Sequence, residues 1–263
     1  MTPARMTDWA PPVAVAAALL VPYLVALRRR PGTLPDHPRW RTAAWVCGAV
    51  LAAVAITPPM TALAHHDHRA HMTQHLVLGM YAPVALVAGA PLALALGSMP
   101  QRTGRAVSRV LRTAPVRAVT HPLTAAVLAV GVLFVLYLTP LYELSHSHAG
   151  LRWLILLHFL LAGYAFAWSI AGVDPAPHRS AFATRLAVLV VAAGAHSFLA
   201  KLLYARTTSD PHAHLGSLAD AAQWMYYGGD AAEILLATML FATWYRRREP
   251  VSDPPRPGRL QHS

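Results

Sequence analysis

Cysteine occurs once in the 263 residues, as Cys47. One thiol excludes a disulfide within the chain and every CxxC metal motif, so any bound metal must rest on His, Met, carboxylate or solvent. Lysine also occurs once, as Lys201, and all other basic residues are arginine. Charged residues are scarce, at 13%, and a soluble domain of this length needs more surface charge than that. With 56% hydrophobic residues and a mean hydropathy of +0.40, the chain reads as a polytopic membrane protein. Acidic residues are few as well, 11 against 22 basic, for a net charge of +11. The arginines flank apolar runs and form no stripe with interleaved aromatics, which argues against nucleic acid as a partner.

Apolar runs long enough to cross about 30 Å of hydrocarbon fall at 9–27, 40–57, 71–96, 123–141, 151–171, 182–204 and 221–245. Only helices or closed barrels satisfy the backbone in lipid, and runs this long are helices. The expected fold is all-α: one membrane bundle over 1–263 with about seven transmembrane helices and a cytoplasmic tail at 246–263. The first run is too long for a signal-peptide core and stops at Arg28-Arg29-Arg30, so it reads as a span. Pro83 and Gly89-Ala90-Pro91 are expected to kink the third span.

Arginine sets the orientation. Arg28, Arg29, Arg30, Arg39 and Arg41 separate the first two spans, and Arg102, Arg105, Arg109, Arg112 and Arg117 the third and fourth. Arg179 and Arg185 follow the fifth, and Arg246, Arg247, Arg248, Arg256 and Arg259 the seventh. These are 17 of the 22 basic residues, which places the N-terminus outside and the C-terminus inside.

Histidine does the opposite. His65, His66, His68, His71, His75, His146, His148, His158, His196, His212 and His214 fall at or just inside the outer face on this topology, and His37, His121, His178 and His262 on the other. Imidazole is a ligand for late transition metals. In the second outward loop, Pro58 to His75, His71 and His75 stand at i,i+4, which on a helix puts both on one face and lets them hold one metal. Met72 adds a thioether that favours Cu(I), and Gln74 a polar partner. The pattern is close to HExxH but has Met72 where a zinc protease needs its Glu, which argues against peptidase chemistry.

His158 and His196 lie about 10 Å and about 12 Å down their spans, a level His75 can reach. A lone histidine in a span also serves as an interhelical hydrogen-bonding residue. The His65, His66, His68 tract either collects metal or is simply a solvated loop. Asp230 and Glu233, at i,i+3 in the last span, are open to four readings: metal ligands, counter-ions to Lys201, a proton relay, or a hydrogen-bonded polar core. Gly228-Gly229 beside them permits close helix approach.

His71-Met72-Thr73-Gln74-His75-Leu76, followed by Ala82-Pro83 and Gly89-Ala90-Pro91-Leu92, resembles the third-helix pattern of the CtaG-like cytochrome c oxidase assembly factors. These are multi-spanning bacterial membrane proteins. The resemblance extends to His158 with Gly163 and Trp168, and to Leu203-Tyr204. The last helix departs from it: the family's Asp-Gln pair is here Asp220-Ala221, and Met225-Tyr226-Tyr227 precedes Gly228-Gly229. The resemblance implies a non-enzymatic role in maturing a haem–copper oxidase at the bacterial plasma membrane. It implies as partners lipid, oxidase subunits or other assembly factors, and copper handled at the outer face.

Taken together, copper is expected on His71, His75, His158, His196 and Met72, with His65, His66, His68, Asp230 and Glu233 as accessory groups. Two other readings stay open: a haem-binding electron-transfer protein with axial imidazoles from His75, His158 or His196, and a metal or proton transporter working through Asp230 and Glu233. A retinal protein is excluded, because Lys201 lies near the outer end of the sixth span and not mid-span in the last.

Overall fold

The computed structural model describes residues 6–34, 36–174, 179–208 and 215–246, and among these every regular element is helical. His178, His212, His214, His262, Arg247, Arg248, Arg256 and Arg259 lie outside the described residues. Helix α1 (Ala10–Arg29) opens on Pro11 and Pro12 and closes on Arg28 and Arg29. A proline at the start costs nothing, because the first N–H groups of a helix have no partner in any case. Then come α2 (Arg39–Ala55), α3 (Pro58–His66), α4 (His68–Ala88) and α5 (Pro91–Ser98). Two short arginine-bearing helices, α6 (Gln101–Leu111) and α7 (Ala114–Val119), lead into α8 (Pro122–Leu138) and α9 (Leu141–Ser147). The chain ends on three long helices, α10 (Ala149–Ala171), α11 (Phe182–Thr208) and α12 (Leu215–Arg246).

Three helices (α1 with its preceding turn, α10 and α11) are long and apolar enough to cross a membrane, or up to six if each bent pair is one span. The pairs α2/α3, α4/α5 and α8/α9 bend by 55°, 42° and 82°. The second, third and fourth expected spans are therefore broken and not straight. The expected outer loop from Pro58 to His75 is not a loop: α3 and the first turns of α4 occupy it. Helix α12 covers the seventh expected span but carries Asp220, Asp230 and Glu233 and is not among the helices that qualify on apolarity.

Helix α4 is central, packed against α2, α3, α10 and α12, while α11 lies along α12. The core around its middle joins Leu78 to Leu133, Leu136, Phe159, Leu199 and Met225, drawn from five helices. Large apolar side chains face outward along the long helices, Val190 and Val191 being 63% and 69% exposed. Outward apolar side chains of this kind suit lipid, since water would penalise them.

Two π-helical turns interrupt the α-ladder, at Val77–Tyr81 and Val127–Gly131. The first has a visible cause. Pro83 cannot donate to the carbonyl four residues earlier, that of Gly79, and α10 packs onto this carbonyl at Gly163. A Cβ on Gly163 would lie 2.1 Å from that oxygen, so only glycine admits the contact. The second turn exposes the Leu128 carbonyl, which accepts a hydrogen bond from His158 Nε2 at 2.9 Å.

The kink expected at Gly89-Ala90-Pro91 is present and is built on Ala90, whose φ of 48° is left-handed. The fully buried Asp174, reached from the end of α10, caps the helix that follows: its carboxylate accepts from Ala93 N at 2.8 Å and Leu92 N at 3.4 Å. Burial pushes the Asp174 carboxyl above the ordinary range, opposed by those two N–H groups and by Arg41 and Arg179.

Candidate metal centre

Helix α4 delivers His71, Met72, Gln74 and His75 on successive turns, and the structure gives the two histidines different surroundings. His71 looks toward the end of the bundle. Its Nε2 lies 3.1 Å from the Tyr137 hydroxyl, which also donates to Met72 Sδ at 3.6 Å. The Tyr142 ring stands edge-on at 5.0 Å, and the His146 ring 6.3 Å away. His146 in turn stands 5.2 Å from His65, so α3, α4 and α9 bring three imidazoles around one small cleft. The cleft measures about 20 Å³ and includes Gln74, Ser145 and Arg152 in its walls. That is room for a water or a small ion and nothing larger. His66 is exposed, and His68 lines a wider hollow with Asp67 and Glu143.

His75, one turn further along α4, lies in the core. It is 3% exposed and packs on Phe159, with ring centres 4.8 Å apart. Across from it stands His196 of α11, 1% exposed, with ring centres 6.1 Å apart and planes tilted by 32°. Neither nitrogen of either ring has a hydrogen-bond partner. A buried polar group left unmatched costs about 1–3 kcal/mol, and native interiors rarely accept one, let alone two facing rings.

Other polar groups at this level are matched. Gln74 Nε2 donates to the Ala55 carbonyl at 2.7 Å, and Ser197 Oγ to Asp230 Oδ1 at 3.0 Å. Glu233 Oε1 is 3.7 Å from His196 Nδ1, close enough for attraction and too far for a hydrogen bond. A Cβ on Gly229 would lie 2.2 Å from His196 Cε1. The second glycine of the Gly228-Gly229 pair is thus the space that the imidazole occupies. Either side of this level, α4 is fastened to α12. Trp224 Nε1 donates to Thr73 Oγ1 at 3.0 Å, and the Tyr81 hydroxyl to the Gly228 carbonyl at 2.8 Å.

Of the expected site residues, then, His75, His196 and Glu233 converge, while His71 and His65 line the cleft and Met72 is buried in the core against Tyr137. His158 joins neither group, being turned to the Leu128 carbonyl. Lys201 is exposed, with its ammonium 5.2 Å from the Tyr226 ring, and Glu233 faces His196 instead. Among the described residues, no three His, Cys, Asp or Glu side chains are placed to hold one ion together. Tyr137, Tyr142 and His146 were not singled out from the sequence as site residues. Tyr137 sits in an apolar run and Tyr142 just beyond it, neither with a spacing signal, and only the fold brings them to His71.

Residues 19–247 match the family model described as cytochrome c oxidase caa3 assembly factor. The chain belongs to this family. The matched region contains both the cleft and the buried imidazole pair. Among similar proteins, an uncharacterized protein of Mycobacterium leprae is 30% identical over 207 residues, which is 74% of this chain and 31% of the relative. Uncharacterized proteins of Mycobacterium bovis and Mycobacterium tuberculosis are each 32% identical over 180 residues, covering 66% of this chain and 27% of the relative. The chain thus spans under a third of the length of these relatives. No solved structure matches. Membership places the chain among proteins described as cytochrome c oxidase caa3 assembly factors.

Proposed function

We propose that the chain supports maturation of a haem–copper oxidase by carrying copper as cargo on the imidazoles of α4 and α11, with no catalytic step of its own. The observation that carries this reading is the pair His75 and His196, buried with every ring nitrogen unmatched. A metal between them would supply a partner to one nitrogen of each ring. A metal–imidazole bond is about 2 Å, so an ion shared by two rings sets their centres about 6 Å apart, in agreement with the 6.1 Å observed. The cleft at His65, His71 and His146, with the Met72 thioether beside it, is the loading side. The chain is taken as a multi-pass protein of the bacterial plasma membrane with seven spans, N-terminus outside, so that the histidine end meets the outer space. The arginine distribution supports that orientation.

A haem also takes axial imidazoles from facing helices, but its macrocycle needs a slot between them. Here Phe159 and Gly229 close directly on the two rings. The pair suits a bare ion.

Deleting the gene is expected to lower assembled haem–copper oxidase while subunit transcripts stay level, with partial rescue by added copper, because mass action replaces a delivery step. His75→Ala should copy the deletion and His148→Ala, at an exposed position, should not. Normal oxidase in the deletion strain, with copper tolerance changed instead, would overturn this reading in favour of a transporter.

A further inference from the structure

Resting on the copper reading above, we infer that the buried pair is a two-ligand site selective for a monovalent d10 ion, copper(I), held in line between His75 and His196 with Glu233 orienting His196. Three observations carry this.

The first is the donor count. Divalent zinc takes four ligands, and copper(II) and nickel(II) prefer four in a plane. Among the described residues the buried level offers no third His, Cys, Asp or Glu to such a set. The Met72 thioether is engaged by the Tyr137 hydroxyl. A monovalent d10 ion is content with two donors in line.

The second is which nitrogens remain. The Nδ1–Cε1 edge of His196 faces α12, where Glu233 Oε1 is 3.7 Å from Nδ1 and the place of a Gly229 Cβ falls 2.5 Å from Nδ1. The same edge of His75 runs along its own helix, 3.6 to 3.7 Å from the place of a Gly79 Cβ. Nε2 is left on each ring. A carboxylate behind a ligating imidazole fixes its tautomer and strengthens it as a donor.

The third is charge. The pair lies against Phe159 and the apolar core, where an uncompensated charge is expensive. The buried carboxylate of Glu233 faces this level, whereas Asp230 is half-buried and already accepts from Ser197. The buried carboxylate of Glu233 compensates the charge of a bound cation. Loading forms two metal–nitrogen bonds, and no electron changes hands.

The test uses the full-length protein in detergent under anaerobic conditions, offered copper(I), silver(I), copper(II) or zinc(II) in parallel, with X-ray absorption on the loaded sample. The expected result is one copper(I) per chain that survives desalting, two nitrogen neighbours in the absorption data, displacement by silver(I) and no retention of zinc(II). His196→Ala should abolish retention, His148→Ala, at an exposed position, should leave it unchanged, and Glu233→Gln should weaken it about tenfold or more. The neighbour count is read on the unmodified protein, so a variant that fails to fold decides nothing against it. Equal retention of zinc(II), or three or more neighbours around copper, would overturn the two-ligand site and leave the copper reading standing. Failure to retain any metal would overturn both.

Discussion

At Gly229 one methyl group decides whether His196 keeps its place. A Cβ there would fall 2.2 Å from His196 Cε1, while at Gly194, two residues before His196 on its own helix, a Cβ meets nothing within 4 Å. Gly229→Ala is expected to destabilise by about 1–3 kcal/mol through overpacking and to lose bound copper, and Gly194→Ala to do neither. Thermal unfolding with metal analysis reads both effects; retained copper in the first variant would mean that the ring is not fixed by this contact. His158 is the opposite case. Its Nε2 holds the Leu128 carbonyl at the π turn of α8, so His158→Leu should cost about 1–3 kcal/mol for the orphaned acceptor without altering copper stoichiometry. A fall in copper with unchanged stability would restore His158 to the ligand set. Spacing alone could not separate these histidines, because the partner of each is chosen by a residue far away in sequence: His196 for His75, Tyr137 for His71, Leu128 for His158.

Helices were more legible than their breaks. Six of the seven expected spans have a helix or bent pair long and apolar enough to cross a membrane, if each bent pair is one span, and α12 covers the seventh without qualifying. The three bends, however, were not all foreseen, although each stands at a proline: Pro58 opens α3, Pro91 opens α5 and Pro140 precedes α9. Proline disfavours helix in the residue before it, so the positions were visible while the angles, set by packing, were not. Asp174 was missed for the same reason, since nothing near it in sequence announces the helix it caps. Asp174→Ala should cost about 0.5–2 kcal/mol as a lost cap. Hydrogen exchange should then rise across 92–98 before the rest of the bundle responds. Unchanged exchange there would show that the N–H groups of Leu92 and Ala93 are satisfied in another way.

For the molecule as a whole, the arginine and histidine ends make a prediction about sidedness. Reporter fusions at Arg105 and Arg248 should read cytoplasmic and those at His66 and His212 external; an external signal at Arg105 would turn the histidine end toward the wrong compartment. The π turn at Val77–Tyr81 bears on the same architecture from a different direction. A π turn carries one residue more than the α-helix it interrupts, and one residue amounts to about 100° of helical phase. The part of α4 that bears His71 and His75 and the part that packs on α2 are therefore set at independent angles. Loss of a single residue from that turn would swing the histidine face away from α11 without changing any ligand, which makes this short stretch the place where a gain or loss in a lineage could retune or silence the site in one step.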